Sequence, residues 1–158
     1  MDDISGYKKL QQFIESKGID ASIVEVKDGA TSLSASHALG TEVNNIVKSI
    51  LFIDESKKPV LVILGGESRV KQSKLAKMIG RKKIRLATRE EVLEFTGYPA
   101  GGVPPIGCKD GLEVYVDRKI FQKGKVFAGG GSERHLLTFD ASILARVYPG
   151  RDIDLPVE

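Results

Sequence analysis

The spacing of apolar residues predicts helices at several places along the chain. Leu10, Phe13 and Ile14 recur at the helical period in ISGYKKLQQFIESKG, and a lysine followed by Gly18 marks the end of that helix. A second helix is predicted in SLSASHALG, with Gly40 as its stop. Further helices are predicted in KQSKLAKMIG, REEVLEF and ASILARVY. Helices are therefore expected along the whole chain rather than in one part of it.

Runs rich in β-branched and aromatic residues lie between these helices and predict strands. They are ASIVEV, IVKSILFI, VLVIL, KIRLA, LEVYVD, KVFAG and HLLTF. Only the turn DESKKP separates IVKSILFI from VLVIL, so these two runs predict a hairpin. The tail RDIDLPVE is expected to be an edge strand or a frayed end.

Two of the helix starts carry a capping signal. Thr88 and Glu91 form a T-x-x-E capping box, and Asp140 is predicted as the N-cap of the final helix. Strands and helices intermix without strict βαβ alternation, and no linker or internal repeat divides the chain. We therefore expect one domain over residues 1–158, of mixed α/β class, with a curled, barrel-like mixed sheet and helices around it.

Two glycine-rich segments do not fit a helix or a central strand. Residues 97–107 read GYPAGGVPPIG, which is either a linker or a stiff loop that presents its backbone to a ligand. Its three prolines lack an amide donor, whereas Gly101, Gly102 and Val103 keep theirs. The second segment, AGGG, ends a predicted strand, where its amides could face an anion.

Lys48 is the most unusual residue of the predicted strands. It shares a strand face with Ile46, Ile50 and Phe52, where a lysine is costly unless its ammonium reaches water or an anion. Three interpretations stay open: a snorkelling surface lysine, a gatekeeper on an edge strand, or a cation at the mouth of a pocket that holds a phosphate or carboxylate.

Charge adds one feature to this picture. The net charge is only +3, but residues 68–89 contain no acid and nine basic residues. This block predicts contact with a polyanion, unless acids from elsewhere in the fold pair with it. The chain has no apolar run long enough to span a membrane, and its first residues are acidic where a signal peptide is basic, so we expect a cytoplasmic protein.

Other kinds of site are poorly supported by the sequence. One cysteine, Cys108, cannot form an internal disulfide, and no spacing joins it to His37 or His135. A small buried hydrophobe is the better interpretation of this cysteine. The acids fall in turns and caps, so a pair of catalytic carboxylates is not indicated either. A lysine and the backbone amides of stiff loops remain as the candidate chemistry.

These features together resemble a known family. A lysine in IVKSILF, then GYPAGGVPPIG, then a strand ending in AGGG is similar to the YbaK/ProX trans-editing aminoacyl-tRNA deacylases, which are related to the editing domain of bacterial prolyl-tRNA synthetases. The KLAK-type helix and the KIRLAT junction match in order, so the resemblance covers nearly the whole chain. It implies a barrel-like α/β fold, a pocket for the 3′ end of a mischarged tRNA, hydrolysis of its ester, and no metal or organic cofactor.

The resemblance also implies roles for individual residues. Lys48 matches the family's essential lysine, which positions a phosphate or the terminal ribose. The backbone of the loop contacts the substrate and helps to place the attacking water. The implied catalytic residues are Lys48, Gly101, Gly102 and Val103. The implied substrate-binding residues are Pro105, Gly129, Gly130, Gly131, Ser49 and Thr31, although Thr31 also suits a helix cap. The predicted tRNA-binding residues are Arg69, Lys71, Lys74, Lys77, Arg81, Lys82 and Lys83.

The resemblance narrows the amino acid that is removed. Members that clear cysteine carry aromatic residues before the lysine, and IVEVKDGATSLS has none. Alanine, serine or threonine is therefore expected, while the tRNA, the oligomeric state and a synthetase partner stay open. The alternative is a tRNA- or synthetase-binding module of the same fold with little hydrolytic activity. A nucleotide-binding regulatory domain would rest on the glycine turns alone.

Overall fold

The computed structural model describes residues 5–158 and contains helices and strands in the predicted order. The elements are α1 Ser5–Lys17, β1 Ala21–Glu25, α2 Ser32–Leu39, β2 Val47–Asp54, β3 Pro59–Gly65, α3 Gln72–Met78, β4 Ile84–Leu86, α4 Arg89–Thr96, β5 Glu113–Asp117, β6 Lys125–Ser132, β7 His135–Asp140, α5 Ile143–Val147 and β8 Asp152–Ile153. Two short 3-10 helices, Val43–Asn45 and Arg118–Gln122, were not predicted. The predicted first helix begins at Ile4, which lies outside the described residues.

The strands form two sheets, which confirms the mixed α/β class. The larger sheet has the order β4-β2-β3-β5-β8, in which β3, β5 and β8 run parallel and the remaining pairs are antiparallel, including the predicted β2–β3 hairpin. The smaller sheet, β1-β7-β6, is antiparallel. Within the described residues, the two sheets are joined by one isolated parallel bridge, between Ile46 and Phe127. The curled arrangement is therefore not closed into one continuous sheet.

The β2–β3 hairpin is buried on both faces and forms the centre of the fold. Val47, Leu51 and Ile53 pack toward α1 and the smaller sheet, in one cluster with Leu10 and Phe139. The alternate residues of the hairpin belong to a second cluster under α3. Burial on both faces explains why IVKSILFI and VLVIL are almost continuously apolar, since each fully buried aliphatic side chain contributes about 1.5–3 kcal/mol.

The predicted helix boundaries are mostly confirmed. Gly18 and Gly40 have left-handed backbones with φ of 63° and 66°, where their helices end. The capping box is present, because Thr88 Oγ1 accepts from Glu91 N at 3.1 Å while Thr88 N donates to Glu91 Oε1 at 2.9 Å. Asp140 is not the N-cap of α5, which is Ser142. Asp140 instead ends β7, and its carboxylate accepts from Ser142 N.

The C-terminal tail packs against the larger sheet, so the frayed alternative is wrong. Strand β8 runs parallel to β5 at the sheet edge, and Leu155 is only 2% exposed. Val157 bridges to Val70, and Glu158 N donates to Arg69 O at 2.9 Å. Within residues 5–158, no helix combines the length and apolar content needed to cross a membrane.

Candidate active site

A cavity of about 340 Å³ lies where the two sheets separate. Its wall is made by the start of β2, the start of α2, the turn after β3, the loop after α4 and the middle of β6. The lining residues are Gly29, Ala30, Thr31, Ser32, Ala35, Ile46, Val47, Lys48, Ser49, Ile50, Gly66, Gly101, Val103, Ala128, Gly129 and Leu136.

The strand pairing explains why a cavity forms at this place. Val47–Ile50 pair with β3 on one side, but β4 pairs with β2 only from Phe52 onward. On that second side, the described residues make one bridge to β6, from Ile46 just before β2 to Phe127. A sheet that loses a partner strand leaves a concave edge, and such edges are common places for ligand sites.

Lys48 brings a positive charge to the cavity wall. It is half-buried, and Nζ makes only a long hydrogen bond of 3.4 Å to Gly66 O. Burial and then the nearby positive charge of Arg69 lower the Lys48 pKa, and Glu67 partly opposes this. Among the described residues that line the cavity, Lys48 is the only titratable one. An anion that entered the cavity would therefore meet a weakly satisfied ammonium group.

The loop of residues 97–107 is fixed in the fold, which rules out the linker interpretation. Tyr98 and Ile106 are fully buried near its two ends. Between them, Tyr148 donates its hydroxyl to Pro105 O at 2.5 Å, and Cys108 Sγ donates to Pro104 O at 3.4 Å. The loop is therefore held by side chains from outside it as well as by its own prolines.

Two of the three predicted catalytic loop residues face the cavity. Gly101 and Val103 line it, and within the described part of the chain no acceptor receives either of their amide protons. Gly102 does not line it: its amide donates to Pro99 O at 2.9 Å, and its carbonyl accepts from Gly131 N at 2.9 Å. Gly102 thus shapes the loop, while its neighbours have amides available for a ligand.

The glycine run of β6 allows three segments to approach each other closely. A Cβ on Gly129 would lie 2.2 Å from Val103 O, and one on Gly130 would lie 2.7 Å from the backbone of β7. Gly131 has φ of +103°, and a Cβ there would lie 2.7 Å from Tyr7 Cα in α1. Of the predicted substrate-binding glycines, only Gly129 lines the cavity; Gly130, Gly131 and the buried Pro105 do not.

Two predicted polar residues also line the cavity. Thr31 does so while capping α2, since its Oγ1 accepts from Ser34 N at 3.0 Å. Ser49 lies next to Lys48 on β2, and its hydroxyl is buried without a hydrogen-bond partner within residues 5–158. An unpaired buried hydroxyl is unfavourable in itself, so Ser49 is a local cost to stability.

Sequence reasoning missed several lining residues. The clearest is Gly66, which lies in the turn after β3. A Cβ on Gly66 would lie 2.9 Å from both Val43 O and Ser32 Oγ, so the doubled glycine was the available signal. Ala35, Ile46 and Leu136 line the cavity from elements whose apolar residues carry no sign of a ligand site.

The cysteine and the two histidines do not line this cavity. Burial raises the pKa of the Cys108 thiol to about 12, which leaves no thiolate at neutral pH. His135 stacks on Tyr7 with ring centroids 3.8 Å apart, and its Nδ1 lies 2.6 Å from Ser132 Oγ. No group of three metal-ligating side chains is found within residues 5–158.

The acid-free block of the sequence divides into two parts in the structure. Arg81 bonds Asp54 at 3.0 Å and also Glu113, so acids distant in sequence occupy its guanidinium. Arg85 likewise pairs with Glu91. The remaining residues of the predicted tRNA surface have no ion pair with any described residue. They are Arg69, Lys71, Lys74, Lys77, Lys82 and Lys83, and all are exposed.

Comparisons with known proteins find relatives over most of this chain. The family model described as aminoacyl-tRNA editing domain matches residues 26–146. A proline–tRNA ligase of Aquifex aeolicus is 32% identical over 110 residues, which are 69% of this chain and 18% of the ligase. The "Putative Cys-tRNA(Pro)/Cys-tRNA(Cys) deacylase EbsC" of Enterococcus faecalis is 28% identical over 105 residues, which are 66% of this chain and 64% of that protein.

A solved structure also has the same fold. The crystal structure of "a putative trans-editing enzyme for prolyl tRNA synthetase" superposes with a TM-score of 0.84 at 32% identity and covers 96% of each chain. The expected fold is therefore confirmed over almost the whole chain.

Proposed function

The chain belongs to the aminoacyl-tRNA editing domain family, and from that premise we propose that it hydrolyses the ester between a mischarged amino acid and the 3′ end of a tRNA. One observation carries the proposal: a single cavity is lined by Lys48 and by Gly101 and Val103, whose amides have no acceptor within residues 5–158. A cation suits the phosphate or ribose of the terminal nucleotide, and fixed amide donors suit the charge that develops on an ester carbonyl.

The reaction needs few side chains. The oxygen of water bonds to the ester carbonyl carbon, the bond from that carbon to the ribose oxygen breaks, and one water proton passes to the released ribose oxygen. The carboxylic acid then loses its proton to solvent. Lys48 holds the nucleotide while the Gly101 and Val103 amides donate to the carbonyl oxygen or orient the water. The neighbouring ribose hydroxyl relays the proton, because no carboxylate or histidine lines the described cavity.

A small amino acid is the proposed substrate, as the resemblance implies. Ala35, Ala128 and Val103 line the cavity, and no aromatic side chain lines the part of it that the structure describes. Alanine, serine and threonine are therefore the proposed substrates. The Enterococcus relative is named for cysteine substrates. We do not expect cysteine to be the substrate here, because the resemblance implies aromatic residues before the lysine in cysteine-clearing members, and IVEVKDGATSLS has none.

The exposed part of the basic block is the proposed contact surface for tRNA. Its six unpaired basic residues surround α3, next to the Lys48 side of the sheet. Arg81 is not part of the proposed tRNA surface, because its guanidinium already forms ion pairs with Asp54 and Glu113. If Lys74 and Lys77 contact phosphates, replacing either with alanine lowers the slope of log affinity against log salt by about one. A synthetase that releases mischarged tRNA is the proposed source of substrate.

The deciding experiment is a deacylation assay over tRNAs charged with alanine, serine, threonine, cysteine and proline. We expect hydrolysis of at least one small-residue ester by the wild type, and a loss of about 100-fold or more in Lys48→Ala. Lys58→Ala, an exposed lysine at the other end of the same hairpin, is the matched control and should keep full activity. Binding of tRNA with no hydrolysis of any ester would favour the binding-module alternative.

One further substrate tests the role of the ribose hydroxyl. A tRNA ending in deoxyadenosine should react slowly. Full rate on that substrate would remove the ribose hydroxyl from the mechanism.

A further inference from the structure

A carboxylate lies beside the cavity wall, just outside the lining residues. Glu133 is the first residue of the two-residue turn between β6 and β7. A Cβ built on Gly101 would lie 3.0 Å from Glu133 Oε2 and 3.4 Å from the Cβ of Ala30. Gly101 and Ala30 both line the cavity. The Glu133 carboxylate therefore adjoins the part of the wall where the Gly101 amide has no acceptor within residues 5–158.

The turn that carries Glu133 is fixed by its backbone. Glu133 O accepts from Gly29 N at 2.7 Å. Arg134 O accepts from Val26 N at 2.8 Å, and Arg134 N donates to Ser132 Oγ at 3.0 Å. Since Gly29 also lines the cavity, these bonds tie the turn to the cavity wall and fix the point from which the Glu133 side chain extends.

The carboxylate itself is weakly held. The Glu133 side chain is 53% exposed, and its one ion pair within residues 5–158 is with Arg89 Nη2, at 3.9 Å. The Arg89 side chain is 75% exposed. An ion pair between two such exposed side chains contributes little to stability, because water screens it. A cation of a ligand can therefore replace Arg89 beside Glu133 at small cost.

The proposed substrate carries such a cation. In an aminoacyl ester, the α-ammonium group is attached to the carbon next to the ester carbonyl. When the Gly101 amide donates to that carbonyl oxygen, the ammonium group lies close to Gly101 and so within reach of Glu133. Lys48, the titratable residue of the lining, has the same charge as the ammonium group and cannot bind it.

We propose that Glu133 binds the α-ammonium group of the amino acid, so that the site prefers free aminoacyl esters to esters whose nitrogen is acylated or absent. This inference rests on the proposed function and adds a specificity-determining residue to it. The bonds that form and break in hydrolysis are unchanged, because the carboxylate contacts the substrate away from the ester. A peptidyl ester has no α-ammonium group and loses the contact.

The test compares kcat/KM for two minihelix RNAs that mimic an acceptor stem. One carries an alanyl ester, and the other carries a lactyl ester, in which a hydroxyl replaces the ammonium group. The two esters differ in intrinsic reactivity, but this difference cancels when their ratio is compared between proteins. In Glu133→Gln the alanyl-to-lactyl ratio should fall about 10-fold, the size of one charge-assisted hydrogen bond, with hydrolysis of the lactyl ester nearly unchanged. An unchanged ratio, or equal losses on both esters, would overturn the proposal and leave the proposed function intact.

Two further variants separate the carboxylate from its surroundings. Glu90→Gln removes the same charge from an exposed site next to Arg89 in α4, outside the cavity lining, and should keep the wild-type ratio. Arg89→Gln releases Glu133 from its ion pair and should keep or raise the ratio. If either variant lowers the ratio as much as Glu133→Gln does, net charge or the ion pair is responsible, and the proposal is wrong.

Binding of uncleavable analogues separates this inference from the proposed function. Minihelix RNAs in which an amide replaces the ester report affinity without turnover. If the wild type binds the alanyl amide more tightly than the lactyl amide, and Glu133→Gln does not, recognition of the ammonium group is supported even when no ester is hydrolysed. Equal affinity of the wild type and Glu133→Gln for the alanyl amide would overturn it even when esters are hydrolysed.

Discussion

Replacing Gly129 with alanine should damage catalysis more than stability. The new Cβ would lie 2.2 Å from Val103 O, whereas real Cβ contacts stay beyond 3.0 Å, so the loop and β6 must separate by about 0.8 Å or more. Gly129 has no positive φ, so the effect is purely steric. Val103 carries one of the two amides proposed to bind the ester. A displacement of about 1 Å in a reacting geometry costs roughly 100-fold in rate, which is about 2.7 kcal/mol of barrier.

The same substitution should cost about 1–3 kcal/mol of unfolding free energy through overpacking. The assay measures kcat for the best ester alongside urea unfolding of the same preparation. Gly111→Ala is the control, because Gly111 has φ of +93° and open space around it. It should lose roughly 1 kcal/mol of stability with no change in kcat. If Gly129→Ala keeps its kcat, the close packing of β6 on the loop does not set the reacting geometry.

Three further substitutions test other parts of the structure. Lys48→Met should have a larger free energy of unfolding than the wild type at pH 7, because burial disfavours the charged lysine and lowers its pKa. The difference in unfolding free energy should shrink as pH rises toward 10.5, where the lysine loses its proton in both states. An unchanged or lower stability of the variant at pH 7 would contradict this prediction. Arg81→Met should lose about 2 kcal/mol in urea unfolding, because it leaves the buried Asp54 carboxylate without its cation, whereas a loss below 0.5 kcal/mol would mean that the pair contributes little. Tyr148→Phe should lose about 1 kcal/mol and slow deacylation several-fold, because the Pro105 carbonyl loses its donor; normal kcat would show that this anchor does not position the loop.

Local patterns predicted the elements because each signal acts over a few residues. The capping pair of Thr88 and Glu91 and the stops at Gly18 and Gly40 depend only on neighbours along the chain. Asp140 failed because its carboxylate was expected to cap a helix, while the strand pairing with Lys125 extends β7 up to that residue. A long-range pairing thus decided the local role.

The site was predictable in part for the same reason. Lys48 was found because a lysine on an apolar strand face is anomalous by itself. The different roles of Gly101 and Gly102 were not predictable, since they depend on which amide meets Pro99 O. Arg81 belonged to the basic block by sequence, but folding brings it to Asp54 and Glu113, which lie 27 and 32 residues away. The ion pairs of Arg81 could not be predicted from neighbouring residues, because its partners become neighbours only in the folded chain.

The proposed use of amides at Gly101 and Val103 has an evolutionary consequence. A backbone donor remains when its side chain is replaced, so mutation at Val103 can reshape the proposed acyl space without deleting the group proposed to bind the carbonyl. Selection on which amino acid is cleared can therefore act almost independently of selection on the hydrolytic step. New specificities become accessible by single substitutions from an active ancestor, as long as the glycines that hold the two loops together are retained.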